Sequence, residues 1–545
     1  MHVYKSPYPP EPLYEGSLVD LLLTSKFHKS HNSPVLTDAE TGETLTIRDH
    51  FNNVRSFTAT LKNHGVTRGT VVALFALNNI YLPCMHHAIL AAGGVITPVN
   101  CAYTSRELGE QLEIANAKFI VAQDGHWLKT AQETVSSSES ISSCKVLSFE
   151  QFVKDCLSNR DGKTALGDPL PLDKSARETL AYLCFSSGTT GKFKGVKTSH
   201  FNLANNVLQA IAADPVIFSP NAIYAGFLPQ THIYALNLHV YTSIFLGAQL
   251  IVFPAFDFER FLKAVIRYRI SHAHVVPPIM VLFAKSPLVD KYPEIKYSLR
   301  ILYSGAAPLS QGLADAVTER LDSKVTVCQG YGLTETSPVT HMSRAERPAD
   351  KVGSIGFLVP NIEARLWDPE TGQDAKLGGP GELVVRGPNI MLGYLNNPTA
   401  DADTLIGDGW MRTGDIARVD EGGYWYIIDR SKEMIKSKGF QVAPAELEAL
   451  LLKHPHVIDA AVIGQWSEIE ATEQPRAFVV LAPNSDAAQI KEWADAQVAK
   501  HKRLSAGIVA IDQIPKSPSG KILRRFLKER NDDTVVGVKK LAAKL

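Results

Sequence analysis

Cysteine is scarce and scattered in this chain. The six cysteines, at positions 84, 101, 144, 156, 184 and 328, show no Cys-x-x-Cys spacing. That excludes a disulfide framework or a zinc ribbon and suits buried thiols of a reducing compartment. An excess of charge is also lacking. The 56 basic and 56 acidic residues leave a formal net charge of zero, which argues against nucleic acid or an anionic membrane as the main partner. No apolar run reaches the roughly 18 residues of a transmembrane segment, and Pro7, Pro9, Pro10 and Pro12 break the N-terminal stretch, which is unlike a signal peptide. Among the seventeen histidines, neither His86-His87 nor His272-x-His274 has the spaced acidic or cysteine partners of a metal site. What remains is a globular chain of 545 residues, 45% hydrophobic and 21% charged, long enough for two or more domains and suited to a small-molecule substrate.

The most informative stretch is residues 186 to 195, Ser-Ser-Gly-Thr-Thr-Gly-Lys-Phe-Lys-Gly, directly after the apolar run Leu180-Ala181-Tyr182-Leu183-Cys184-Phe185. A strand that empties into a glycine-rich loop gathers backbone N–H groups, hydroxyls and ammonium groups in one small volume, as a polyphosphate requires. Only Thr189 and Thr190 separate Gly188 from Gly191, and Phe193 follows Lys192, so the run is not a Walker loop.

Apolar periodicity alternates along the first part of the chain. Residues 71–77, 95–99 and 119–122 read as strands and residues 80–92 and 105–115 as helices, which predicts a parallel, doubly wound sheet. Residues 136–173 read as polar and turn-rich. A second α/β half then begins, in one large sheet or two. Short alternating strands with frequent glycine over 353–428 predict a small antiparallel barrel. The character changes again after Asp429-Arg430. The expected division is a large α/β N-terminal domain, 1–430, and a smaller mobile α+β C-terminal domain, 431–545, hinged near Lys432.

A second glycine site spans residues 325–336 and contains Gln329-Gly330-Tyr331-Gly332-Leu333-Thr334-Glu335-Thr336. It lacks the third glycine of a dinucleotide fingerprint, having Glu335 there. A carboxylate between threonine hydroxyls suits Mg²⁺ on a triphosphate. Further ordered motifs follow the phosphate loop: residues 228–237 (Leu-Pro-Gln-Thr-His-Ile-Tyr-Ala-Leu-Asn), Val276-Pro277-Pro278, and Ser304-Gly305-Ala306-Ala307-Pro308-Leu309. Others are residues 409–415 (Gly-Trp-Met-Arg-Thr-Gly-Asp), Asp429-Arg430, residues 436–448, which open Lys-Ser-Lys-Gly-Phe-Gln, and residues 515–521, Pro-Lys-Ser-Pro-Ser-Gly-Lys. Together they resemble the adenylate-forming enzymes, specifically the acyl-CoA synthetases of the 4-coumarate:CoA ligase and luciferase branch, through nearly the whole chain.

The resemblance implies that ATP activates a carboxylic acid to an acyl-adenylate with release of pyrophosphate, and that coenzyme A then displaces AMP. It implies that Lys521 bridges the carboxylate and the α-phosphate. Ser186, Ser187, Gly188, Thr189, Thr190, Gly191 and Lys194 follow the β- and γ-phosphates, and Asp415 and Arg430 grip the ribose. Ala307, Gln329, Gly330 and Tyr331 frame the adenine, and Thr334 and Glu335 hold phosphate and Mg²⁺. Rotation about Lys432 then brings Lys438 and Gly439 to the thiol arm, beside Lys436 and Gln441. His232 is implied at the acyl carboxylate, while Ile233, Tyr234, Asn237, Gly305, Pro338 and Val339 are expected to line an acyl pocket.

Three positions depart from the commoner family pattern: Phe193 in place of a proline, Tyr303 in place of a lysine, and Thr336-Ser337 in place of a smaller pair. The expected substrate is an aryl or phenylpropanoid acid or a medium-chain fatty acid. A luciferase-like oxygenase and a stand-alone adenylation module for a carrier protein are the alternatives. Ala543-Lys544-Leu545 is similar to a peroxisomal import signal read by a receptor.

Overall fold

The computed structural model describes residues 2–537 apart from 29, 159–166, 188–192, 308, 352, 369–370, 377, 431–432, 438–439, 468–471, 484, 518–519 and 531–532. Gly188, Thr189, Thr190, Gly191, Lys432, Lys438, Gly439 and the tripeptide 543–545 therefore lie outside the described residues.

The strands Val71–Phe75, Val95–Pro98 and Phe119–Ala122 pair in parallel, as the alternating periodicity predicts. Helices Leu82–Ala91 and Ser105–Ala115 connect them. The second helix has local reasons to start and stop where it does. Thr104 and Glu107 form a reciprocal capping box at its N-terminus, and Asn116 takes the left-handed conformation (φ 50°) at its end. This six-stranded sheet continues through Leu180–Ser187 to Phe193–Ser199.

Two sheets form the α/β part, not one. The second has nine strands, with Gln249–Val252, Ile223–Gly226, His272–Val275, Ile301–Ser304 and Thr326–Gly332 in parallel succession. The middle strands are buried on both faces, which is why they read as continuous apolar runs. An antiparallel sheet of Glu363–Asp368, Gly381–Arg386, Met411–Val419 and Trp425–Arg430 follows. Its edge is closed by Tyr4–Lys5 from the other end of the chain. The C-terminal region has the hairpin Ile435–Ser437 with Phe440–Val442. It also has a three-stranded sheet, Val457–Ser467, Thr472–Leu481 and Ile508–Ala510, and helices Pro444–Leu452 and Ala487–Ala496. It carries apolar clusters of its own, such as Ile435, Leu447, Val462, Val479 and Ile490.

Two expectations need correction. Residues 136–173 are not merely turns, since they include the strand Lys145–Ser148 and the helix Phe149–Ser158. Phe149, Phe152, Val153 and Cys156 occupy one helical face and are buried, enough to dock an otherwise polar helix. The glycine-rich run, in turn, does not open a new α/β unit. The strand before it continues to Ser187 and returns antiparallel as Phe193–Ser199, with Ser186 opposite Lys194, so the run is the turn of a hairpin. Phe193 secures the return by packing on Tyr103 and Phe185, with ring centroids 5.3 and 6.5 Å away.

His86, His87, His272 and His274 are buried structural residues. His87 pairs with His50 (2.9 Å), His274 with His239 (3.1 Å), and His86 with the Tyr182 hydroxyl (3.0 Å). Among the described residues no group of three or more His, Cys, Asp or Glu is arranged to hold a metal. All six cysteines are free thiols. No helix among the described residues is long and apolar enough to cross a membrane.

Candidate functional site

The phosphate hairpin, the turn at Glu335 and Tyr394 converge. The Lys194 ammonium lies 4.9 Å from the centroid of the Tyr394 ring, and the Tyr394 hydroxyl donates to Glu335 at 3.0 Å. Burial, then the Glu335 carboxylate, raise the Tyr394 pKa, so the phenol stays a donor. The turn Thr334–Thr336 is held from behind. Asn389 donates to the Thr336 carbonyl (2.6 Å) and Asn237 to the Ser337 carbonyl (2.9 Å). Such fixed backbone keeps Glu335 in place without reorganisation when a cation and phosphates arrive. Its carboxylate, with Thr334 beside it and Lys194 near, fits Mg²⁺ that keeps phosphate and water oxygens as its other ligands.

A second cluster forms where Thr326–Gly332 meets the antiparallel sheet. The Tyr331 hydroxyl donates to Asp415 at 2.6 Å. Asp415 is only 4% exposed and stands opposite Arg430 in the strand register. Gln329 does not project its amide freely. It accepts from the Leu309 N–H and donates to the Leu309 carbonyl, both at 3.2 Å, and so ties down the segment that carries Gly305 and Ala307. Ala306 there takes φ 68°, a left-handed conformation that such tethering must hold.

The expected acyl pocket divides into wall and support. Tyr234 donates to the Tyr303 carbonyl at 2.9 Å, and its ring lies against Gly305, where a Cβ would come within 3.0 Å of it. Ile233 is buried, at 3% exposure. Asn237 is a correction. It is fully buried and its amide is committed to Asn206, Thr242 and Ser337, so it braces the wall and does not face a substrate. Val339 is likewise fastened, through its N–H to Asn206 at 3.0 Å, and Pro338 follows a cis peptide bond beside it.

Tyr303 is the residue whose role sequence reasoning left open. Its hydroxyl is buried, has no hydrogen-bond partner among the described residues, and occupies the space a Cβ at Gly330 would need. Gly330→Ala is therefore expected to force the Tyr303 ring or the strand aside at a cost of about 1–3 kcal/mol. Thermal denaturation checks this, and a variant as stable as the parent refutes the packing.

His232 caps the short helix Ile233–Ala235 by accepting from the Tyr234 N–H at 3.2 Å through Nδ1, which leaves Nε2 to carry the proton of the neutral ring. Burial, and then the Lys521 ammonium, push its pKa down to about 4. The C-terminal region is thus docked with Lys521 near His232. Gly520, at φ 80°, packs on Val276 and Pro278, and Lys521 donates its N–H to Ser517 at 3.2 Å. Lys436 is not brought here. It is exposed and pairs in register with Gln441. Its backbone bonds go to Glu473 and Thr472 of the C-terminal region itself.

Between the two parts lies a cavity of about 590 Å³, mostly apolar, with Phe227, Thr231, Val276 and Leu282 on one side and Lys516 and Gly520 on the other. It adjoins His232 through Thr231. The motifs that border it, Leu228-Pro229 and Val276-Pro277-Pro278, stand out in the sequence, but spacing alone does not place them around a common space.

The family model of AMP-binding enzymes matches residues 23–395, and that of the AMP-binding enzyme C-terminal domain matches residues 446–521. Among curated relatives, a probable 4-coumarate–CoA ligase 1 of Dictyostelium discoideum is 38% identical over 501 residues, 86% of this chain and 87% of its own. A 4-coumarate–CoA ligase of Pinus taeda is 35% identical over 97% of this chain and 98% of its own. Among solved structures, ATP-bound MatB from Rhodopseudomonas palustris superposes with a TM-score of 0.83 at 26% identity, covering 95% of this chain and 99% of that one. An anthranilate CoA ligase, AuaEII, in complex with anthranoyl-AMP shares the fold with a TM-score of 0.81 over 95% of this chain and 97% of that one, at 23% identity.

Proposed function

Because the chain belongs to the AMP-binding enzyme family, we propose that it is an ATP-dependent acyl-CoA synthetase, an AMP-forming acid–thiol ligase. In the first half-reaction a carboxylate oxygen attacks the α-phosphorus of ATP, and the bond to the bridging oxygen breaks to release pyrophosphate. In the second, the sulfur of coenzyme A attacks the acyl carbon and AMP departs. The observation that carries the reading is Lys521 docked near His232, on the same molecule as the Lys194–Tyr394–Glu335 and Tyr331–Asp415 clusters.

Each cluster has a task in this chemistry. Negative charge develops on the α-phosphate and the leaving pyrophosphate, and Lys521 and Lys194 supply fixed positive charge there. Asp415, oriented by Tyr331 and accompanied by Arg430, suits the two hydroxyls of a ribose. Mg²⁺, when bound at Glu335 and Thr334, neutralises charge on the departing phosphates. His232, neutral over the physiological range, offers an Nε2 proton to the carboxylate without competing for it as a cation would. The interdomain cavity is apolar and long enough for the pantetheine arm. The hinge near Lys432, between domains 1–430 and 431–545, would exchange Lys521 for Lys436, Lys438, Gly439 and Gln441 between the halves.

The acid is an aryl or phenylpropanoid acid or a medium-chain fatty acid, supported by the buried Ile233, Tyr234 and Tyr303 around the acyl side. Incubation with ATP, Mg²⁺, coenzyme A and a panel of such acids should yield pyrophosphate and an acyl-CoA, and no product from any acid would overturn the reading. Tyr234→Ala, which opens the wall at Gly305, should shift preference toward bulkier acids by about 1–3 kcal/mol in relative kcat/KM. An unchanged ranking across the panel removes Tyr234 from the lining. Where Ala543-Lys544-Leu545 forms the C-terminus, it is proposed as a peroxisomal import signal. A fluorescent N-terminal fusion should lose punctate localisation when the tripeptide is deleted.

A further inference from the structure

Helix Pro277–Lys285 meets the C-terminal region at both of its ends. At its start, Val276 and Pro278 pack on Gly520, the residue before Lys521, so closely that a Cβ there would come to 3.3 and 3.4 Å from them. At its end, the Lys285 ammonium donates to the carbonyls of Val457 at 2.8 Å and Leu452 at 3.3 Å. Leu452 is the last residue of helix Pro444–Leu452. The final carbonyls of a helix have no partner within it and carry the negative end of its dipole, so an ammonium there is doubly favoured. Val457 opens the next strand, and Asp459 on that strand adds attraction to Lys285. Asp459 also holds Lys516 at 2.6 Å, at the base of the loop that bears Lys521, which Leu523 closes by donating to the Pro515 carbonyl at 2.8 Å.

A helix of this length spans about 14 Å at 1.5 Å per residue. Contacts at both ends therefore fix the position and the tilt of the C-terminal region, where contact at one end alone leaves a pivot. We propose that Lys285 is a positioning residue for adenylate formation: it clasps the end of helix Pro444–Leu452 and so holds Lys521 over the site, and it releases when the C-terminal region turns for thioester formation. The proposal rests on the reading of the chain as a two-step acyl-CoA synthetase. No residue of the ATP or acyl site contacts Lys285 through the bonds described, so its influence is on geometry and not on the reacting atoms.

The test separates the half-reactions. Adenylate formation is followed by acid-dependent pyrophosphate exchange into ATP, and thioester formation by acyl-CoA release from supplied acyl-adenylate and coenzyme A. Lys285→Met keeps the stem and removes the charge. It should slow exchange by about three- to tenfold, the worth of one or two exposed charge-assisted hydrogen bonds, while the thioester step stays unchanged or accelerates. Lys285→Arg, which retains a cation and donors, should recover most of the exchange rate. Unchanged exchange in Lys285→Met overturns the clasp, as does an equal loss in both halves, which marks a general loss of stability. Failure of Lys285→Arg to recover exchange overturns it as well. Wild-type enzyme that forms no adenylate from any acid overturns the underlying reading, whereas a wild type that exchanges normally confines any failure to Lys285.

Discussion

Lys521→Ala should lower adenylate formation by about 10²–10³-fold, the loss expected when one preorganised group that meets developing charge is removed. Thioester formation from supplied acyl-adenylate should stay within a few-fold of wild type, because the α-phosphate charge has by then been resolved. A second, independent readout is available at His232. Burial is the larger cause of its depressed pKa and the Lys521 ammonium the next. In the alanine variant the imidazole should therefore titrate at higher pH than in wild type, though still below an exposed histidine. Histidine NMR titration measures this without turnover. Equal loss of both half-reactions would remove Lys521 from its assigned role. A His232 titration unmoved by the substitution would show that the two groups do not share the docked site in solution.

Local signals explain what could be read before the structure. The helix Ser105–Ala115 is legible to the residue because Thr104, Glu107 and Asn116 mark its ends as well as its face. The helix Phe149–Ser158 has as clear an apolar face, but it is surrounded by polar sequence that hides a four-residue stripe. Tyr4–Lys5 has only two residues in its strand, too few for any periodicity, and pairs with a strand more than 350 positions away. At the site, residue types were legible and their partners were not. Glu335 stands out as a carboxylate beside threonines, yet nothing in its neighbourhood points to Tyr394, whose hydroxyl orients it. Asn237 looks like a polar point of an acyl pocket, and only the tertiary arrangement shows its amide consumed by Asn206, Thr242 and Ser337. The interdomain cavity draws on segments from Ala76 to Gly520, so no window of sequence contains it.

Acid should unfold this protein well before its carboxylates are fully protonated, and buried histidines are the reason. Burial drives the pKa values of His86, His87, His239 and His341 down to about 3 and that of His200 to about 4. His50 and His274 lie well below the usual value from burial and from their histidine neighbours. In the unfolded chain each of these groups titrates near 6.5. Between that value and 3–4 the unfolded state binds more protons than the folded one, so stability is complete above about pH 6.5 and declines as the pH falls. At pH 5 the deficit is about 2 kcal/mol for each fully buried neutral histidine, from 1.36 kcal/mol per pH unit. A handful of them therefore matches the roughly 5–15 kcal/mol that a folded domain holds in reserve. The melting temperature should be flat between pH 7 and 8 and fall steeply between pH 6 and 5, with loss of near-UV circular dichroism. His86→Gln, which replaces one titrating group while keeping a partner for the Tyr182 hydroxyl, should reduce the slope of stability against pH by up to about 1.4 kcal/mol per unit. A melting temperature constant from pH 7 to 5 would mean that these imidazoles reach water, and would contradict the packing of the helix Leu82–Ala91 and the His239–His274 pair.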